Sequence, residues 1–165
     1  MLPPKLILAP VDFSDSSRAA LDVAANMASR LGAEILLVHV VPAIPDLPKN
    51  VSIFKEGQYD ESLNEKAQQQ LKELADSLAQ KNVKARTQLG NANDVGMELI
   101  RIADSENADM IIIATHGMTG WRKIAFGSVA EKVVKEAECP VLVLRAKATA
   151  GASHGRQAAS SAKPN

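Results

Sequence analysis

Cysteine is almost missing from this 165-residue chain: Cys139 stands alone, so no internal disulfide and no Cys-rich zinc site can form, which favours a reducing compartment. Aromatic residues are only 3%, too few for a base-stacking platform that would hold single strands. Charge of one sign is missing too. Lys plus Arg and Asp plus Glu are both 19, so no bulk electrostatic pull acts toward nucleic acid or an anionic membrane surface. No apolar run approaches the roughly 20 residues needed to cross a bilayer. The opening "MLPPKLILAPVDFSD" reaches an acid after a very short apolar run, with neither a basic leader nor a small-residue cleavage signal, unlike a secretory signal peptide. These absences lead to the expectation of one cytoplasmic domain that binds neither nucleic acid nor membrane.

What is there alternates. "KLILAPV" reads as a buried strand, and Ser14 or Asp15 can cap the helix that follows, with Ala20, Ala24, Met27, Ala28 and Leu31 on one face and Gly32 at its end. "EILLVHVV" is a second strand, apolar enough to be covered on both faces. The segment "PAIPDLPKNVSIFKEGQ" breaks regular structure at Pro42, Pro45 and Pro48, and reads either as a moving part or as a plain surface excursion. A long helix is expected from about Tyr59 to Lys81 on the stripe Leu63, Ala67, Leu71, Leu74 and Leu78. "VKARTQL" alternates, with Val83, Ala85, Thr87 and Leu89 on one face, as a half-exposed strand near a sheet edge does. A third helix spans roughly Asp94 to Glu106, and "DMIIIAT" is the fourth strand. A fourth helix starts at Ser128, with Val129, Val133, Val134 and Ala137 inward and a Glu131–Lys135 pair outward; Cys139-Pro140 follow it, and "VLVLR" is the fifth strand. The remainder, 147–165, is small and polar without periodicity, which predicts a disordered tail beyond a domain of residues 1–146.

Five strands alternating with four helices predict an α/β fold with a doubly wound, Rossmann-like parallel sheet. Such sheets take ligands beyond the carboxyl ends of their strands, where strand order reverses. Strand 1 ends at Pro10-Val11-Asp12, strand 2 at His39-Val40 and strand 4 at Ala114-Thr115-His116-Gly117, so three strand ends converge. Gly127-Ser128 opens a helix, where backbone N–H groups lack partners and the macrodipole favours an anion; Arg122 and Lys123 add positive charge just before it. Read without any comparison, the same residues also suit a tight turn and a helix cap. Asp12 would accept from ribose hydroxyls or help hold a metal bridging phosphates, or simply start the first helix. Val40 would read an adenine edge with its main chain, or simply end a buried strand. His39 is expected to be a satisfied core histidine. His116 has no visible partner acid or nucleophile, so no catalytic residue is nominated.

The order "KLILAPVDFSDSSRAAL … LLVHVV … ADMIIIATHGMTGWRKIAFGSVAEKVVKEAECPVLVLR" resembles the universal stress protein family over about residues 4 to 146. Nucleotide-binding members carry Gly-x-x-Gly, nine residues, then Gly-Ser or Gly-Thr. This chain has Ala114-Thr115-His116-Gly117, nine residues from Met118 to Phe126, then Gly127-Ser128, with Ala114 in place of the first Gly. The resemblance implies an adenine-nucleotide-binding fold and bound ATP, with Mg or Mn reached through Asp12. Pro10, Val11, Asp12 and Val40 would surround the adenosine. Ala114, Thr115, His116, Gly117, Met118, Thr119 and Gly120 would wrap ribose and phosphates, and Gly127, Ser128 and Val129 would hold the phosphate chain. It also implies a homodimer through the last strand, Val141, Leu142, Val143 and Leu144, and a nucleotide-dependent regulatory role toward an unknown protein partner. Two alternatives stay open: a nucleotide-free dimer of the same family, and a slow ATP-hydrolysing enzyme. Against the latter stand two absent signatures, a Walker A loop and Ser-Gly-Gly-x-Asp-Ser after the first strand.

Overall fold

The structure, a computed structural model, describes residues 3–42, 56–115 and 127–145. In chain order it contains β1 (Leu6–Pro10), α1 (Asp15–Leu31), β2 (Glu34–Pro42), α2 (Glu56–Gln80), β3 (Ala85–Ala92), α3 (Val95–Ser105), β4 (Met110–Ala114), α4 (Ser128–Glu136) and β5 (Val141–Leu144). All pairings are parallel, in the order β3-β2-β1-β4-β5. The five-stranded, doubly wound α/β fold expected from the alternation is therefore the fold observed. The chain winds outward from β1 to the β3 edge, then crosses back to β4 and β5, so the direction of winding reverses between β1 and β4.

The alternation of side chains in the central strands builds two cores. Leu6 and Leu8 of β1, Leu36 and Val38 of β2, and Ile111 and Ile113 of β4 pack with Leu99 and Ile102 of α3 and Val133 of α4. Ile7, Ile35, Leu37 and Ile112 face the other way, onto Leu21, Ala24 and Ala28 of α1 and Leu71 and Leu78 of α2. Burial on both faces explains why these strands read as continuous apolar runs. Each large side chain taken fully from water contributes about 1.5–3 kcal/mol.

Local signals set most element ends. Ser14, not Asp15, caps α1: its side chain accepts from the Ser17 N–H, and Asp15 lies in the first turn. Gly32 ends α1 at φ +68°, donating its N–H to the Ala28 carbonyl; a left-handed residue is needed there. Asp94 caps α3 by accepting from the Met97 N–H. α2 begins at Glu56, before the expected Tyr59. The interrupted segment and the tail lie outside the described residues, apart from Pro42 in β2 and the first residues of α2.

Some inward assignments need correction. In α1 the buried face runs through Leu21, Ala24, Ala25 and Ala28, while Leu31 is exposed. In α4 the stripe centres on Ala130 and Val133, with Val129 and Ala137 on its flanks, and Val134 faces solvent. Consecutive helical residues lie about 100° apart, so a run of valines cannot all point inward. The Glu131–Lys135 pair is outward as expected, at 2.6 Å. β3 is an edge strand; Val83, Ala85 and Leu89 lie on the α1–α2 core, but Thr87 is exposed.

Asp109, just before β4, accepts from the main-chain N–H groups of Lys5 (2.8 Å) and Leu6 (2.9 Å), pinning the start of β1. These bonds, that to Leu6 first, hold its carboxyl below the ordinary carboxylate range. A depressed folded value means that this stabilisation is present above the unfolded range and is lost as pH falls through the folded value. Asp109→Ala is expected to cost about 1 kcal/mol near neutral pH, solvent screening keeping the figure small, and less at pH 2. Urea denaturation at both pH values checks this; equal losses at the two would refute it.

Candidate nucleotide site

At the carboxyl ends of β1, β2 and β4 lies a cavity of about 490 Å³, within the range of small-molecule sites. Pro10, Val11 and Asp12 line it from β1, and Val38, His39, Val40 and Pro42 from β2. Ala114 and Thr115 contribute from β4, and Gly127, Ser128, Val129 and Ala130 from the start of α4. The residues singled out on β1, β2, β4 and α4 thus meet around one space. His116, Gly117, Met118, Thr119 and Gly120, with Arg122 and Lys123, lie outside the described residues.

Ala114 is the last residue of β4, opposite Leu144 in the ladder to β5, and it is not among the residues with positive φ. The Ala in place of Gly therefore brings no backbone strain. Beyond it, buried Thr115 receives the Gly127 N–H on its carbonyl at 2.7 Å and donates its own N–H to the Leu144 carbonyl at 2.9 Å. This clasp closes the base of the segment between residues 115 and 127. Gly127 has φ −60° and ψ 147°, open to any residue; what requires glycine is space, since a Cβ there would lie 2.7 Å from the Thr115 carbonyl oxygen.

Having no side chain, Gly127 caps α4 without a side-chain hydrogen bond, and the first intrahelical bond runs from the Glu131 N–H to the Gly127 carbonyl. The N–H groups of Ser128, Val129 and Ala130 precede it, at the positive end of the helix dipole and at the cavity wall. Lys132 pairs with Asp94, tying α4 to the start of α3. That hydrogen bond is the chief reason the Asp94 carboxyl lies below its ordinary range.

The loop after β1 is tightly held. Asp12 Oδ1 accepts from the Ser14 N–H at 3.1 Å and from Ser14 Oγ at 2.5 Å, so Asp12 organises the residue that caps α1. Phe13 adopts φ +64°, uncommon for a non-glycine residue, and turns the chain there. His39 Nδ1 donates to the Val11 carbonyl at 2.7 Å, and its ring lies 4.5 Å from that of Phe13. His39 is satisfied, as expected, but only half-buried, because β2 continues past it to Pro42. Among the described residues no cluster of His, Cys, Asp and Glu could hold a metal ion. A cation near Asp12 would need other ligands, such as phosphate oxygens.

Sequence reasoning missed Val95 and Leu99 of α3, which add apolar surface to the cavity lining. Their signal was hidden: both look like core positions of an amphipathic helix, and only the placement of α3 over β2 and β3 brings them to the cavity.

Fold and cavity together define an open-sheet α/β domain with a ligand-sized space at its topological switch point. The sequence model of the universal stress protein family matches residues 4–145. The chain belongs to that family. It is 35% identical over 144 residues to a universal stress protein of Methanocaldococcus jannaschii, spanning 86% of this chain and 82% of the relative. The solved structure of a second universal stress protein of that archaeon superposes with a TM-score of 0.77 at 27% identity, covering 90% of this chain and all of the other. A universal stress protein of Archaeoglobus fulgidus, solved in complex with dAMP, shares the fold with a TM-score of 0.60 at 21% identity, covering 87% and 98%. Among the described residues no helix is long and apolar enough to cross a membrane.

Proposed function

We propose that this chain is an ATP-binding regulatory module that works as a cytoplasmic homodimer, its domain formed by residues 1–146 with 147–165 as a tail. One observation carries the reading: a cavity of about 490 Å³ is lined both by apolar Val40, Val95 and Leu99 and by a helix start without a side-chain cap. An adenine ring suits the apolar end, between Val40 and Pro10-Val11. A phosphate chain suits the other, at the N–H groups of Ser128, Val129 and Ala130 with the Ser128 hydroxyl beside them. Asp12, also in the lining, would accept from ribose hydroxyls or help hold a Mg or Mn ion. Ala114 and Thr115 are in the lining beside them, and the family resemblance assigns His116, Gly117, Met118, Thr119 and Gly120 to the ribose and phosphates as well.

The bound nucleotide bridges the β1 loop and the start of α4, elements that are separate in sequence. Occupancy therefore changes their relative freedom and the surface they offer a protein partner. The carboxylate and imidazole in the described part of the cavity, Asp12 and His39, are engaged by Ser14 and by the Val11 carbonyl, so regulation by binding is favoured over turnover. Nucleotide extracted from freshly purified protein and identified by mass is expected to be ATP at close to one per chain. Protein that yields no nucleotide and rebinds none would overturn the reading in favour of a nucleotide-free dimer.

A further inference from the structure

The ladder between β1 and β2 stops in an unusual way. Even-numbered residues of β2 turn their main-chain groups toward β1: the Glu34 N–H donates to the Lys5 carbonyl and the Val38 carbonyl accepts the Val11 N–H. Odd-numbered ones face β3, as the bond from the Ile35 N–H to the Lys84 carbonyl shows. The next rung of a parallel ladder would run from the Val40 N–H to the Val11 carbonyl. That rung does not form among the described residues; His39 Nδ1 takes the Val11 carbonyl instead, at 2.7 Å. Val40, only 6% exposed, thus keeps an N–H and a carbonyl directed past the end of β1 at the cavity wall. Buried main-chain groups are nearly always paired, so a pair kept out of its ladder at a cavity is one reserved for a ligand or water.

The same imidazole grips both neighbours of Asp12. Its Nδ1 holds the carbonyl of residue 11, and its ring lies against that of Phe13, whose left-handed backbone needs outside support. Arg18 Nε adds a bond to the Phe13 carbonyl at 3.3 Å. We infer that His39 is a positioning residue of the site: by diverting the Val11 carbonyl it keeps the Val40 main chain available to the adenine edge, and by clamping residues 11 and 13 it sets Asp12. An N–H beside a carbonyl, both left out of the ladder, matches N1 and the amino group of adenine and mismatches the corresponding edge of guanine, so this arrangement selects the base. The inference rests on the adenine-nucleotide reading above but has a nucleotide-free consequence as well.

His39→Asn places an amide donor near the position of Nδ1, whereas His39→Phe keeps a ring against Phe13 and removes the donor. In the nucleotide-free protein, His39→Phe lets the Val11 carbonyl return to the Val40 N–H. Amide exchange at Val40 is then expected to slow by about tenfold, the effect of one added hydrogen bond. Mere damage to the fold would speed exchange instead. In calorimetry, His39→Phe is expected to weaken ATP about tenfold and to narrow the preference for ATP over GTP, while His39→Asn recovers most of both. Slower exchange at Val40 together with rescue by Asn supports the inference. Val40 exchange that is unchanged or faster in His39→Phe overturns it, even if wild-type protein binds ATP. If exchange slows but wild-type protein binds no adenine nucleotide, the ladder argument survives, and both the assignment to adenine and the proposed function fall.

Discussion

Gly127→Val is expected to weaken nucleotide binding and to destabilise the domain at the same time. A Cβ at Gly127 would lie 2.7 Å from the Thr115 carbonyl oxygen, a contact between two pieces of main chain that no side-chain rotation relieves. The same carbonyl accepts the Gly127 N–H, so moving apart to make room also breaks that bond. Overpacking costs about 1–3 kcal/mol and the lost hydrogen bond roughly 1 kcal/mol more. The clasp positions the start of α4 against the end of β4, and the anion-facing N–H groups move with it. ATP affinity should fall by about 2 kcal/mol or more, close to thirtyfold. Asp12→Ala separates the effects: it should weaken binding while leaving Gly127 and its clasp intact. Calorimetry with chemical denaturation reads both quantities. A Gly127→Val protein with wild-type affinity and wild-type stability would remove this site from consideration.

Charges introduced on the two faces of β5 should have opposite consequences. Val141 and Val143 pack against the core formed with α3 and α4, and Leu142 and Leu144 against the margin of the α1–α2 core; the helix that covers β5 most is α4, on the valine side. β5 is the sheet edge, and all four residues remain half-buried. An open apolar edge invites pairing with another chain, and a twofold contact between copies closes it. Val141→Lys with Val143→Lys should disrupt the intramolecular core by about 3 kcal/mol or more. Leu142→Lys with Leu144→Lys should preserve the folded domain and shift a dimer to monomer. Sedimentation at micromolar concentration, paired with thermal denaturation, tells these outcomes apart. A monomeric wild-type protein, or a Leu142/Leu144 variant that stays dimeric, would refute assembly through this strand.

The sequence by itself determined the elements and their order. Apolar runs in β1, β2 and β4, caps at Ser14 and Asp94, and Gly32 beyond α1 are local signals, carried by steric and hydrogen-bonding preferences of neighbouring residues. Alternation then implied a doubly wound sheet, and the spacing from Ala114 to Gly127-Ser128 directed attention to the strand ends where a cavity does lie. Only the tertiary structure decided what depends on partners distant in the chain. It placed Val95 and Leu99 at the cavity, turned Leu31 and Val134 outward, and assigned the two faces of β5. It also attached the need for glycine at residue 127 to the carbonyl of Thr115 rather than to a backbone angle. His39 shows the division most clearly. Its position in β2 is legible in the sequence, but its bond to Val11 spans 28 residues and exists because parallel pairing brings the end of β1 alongside it. Periodicity reports which residues share a face of one element; what lies across from that face is fixed by strand order and register, which no local pattern encodes.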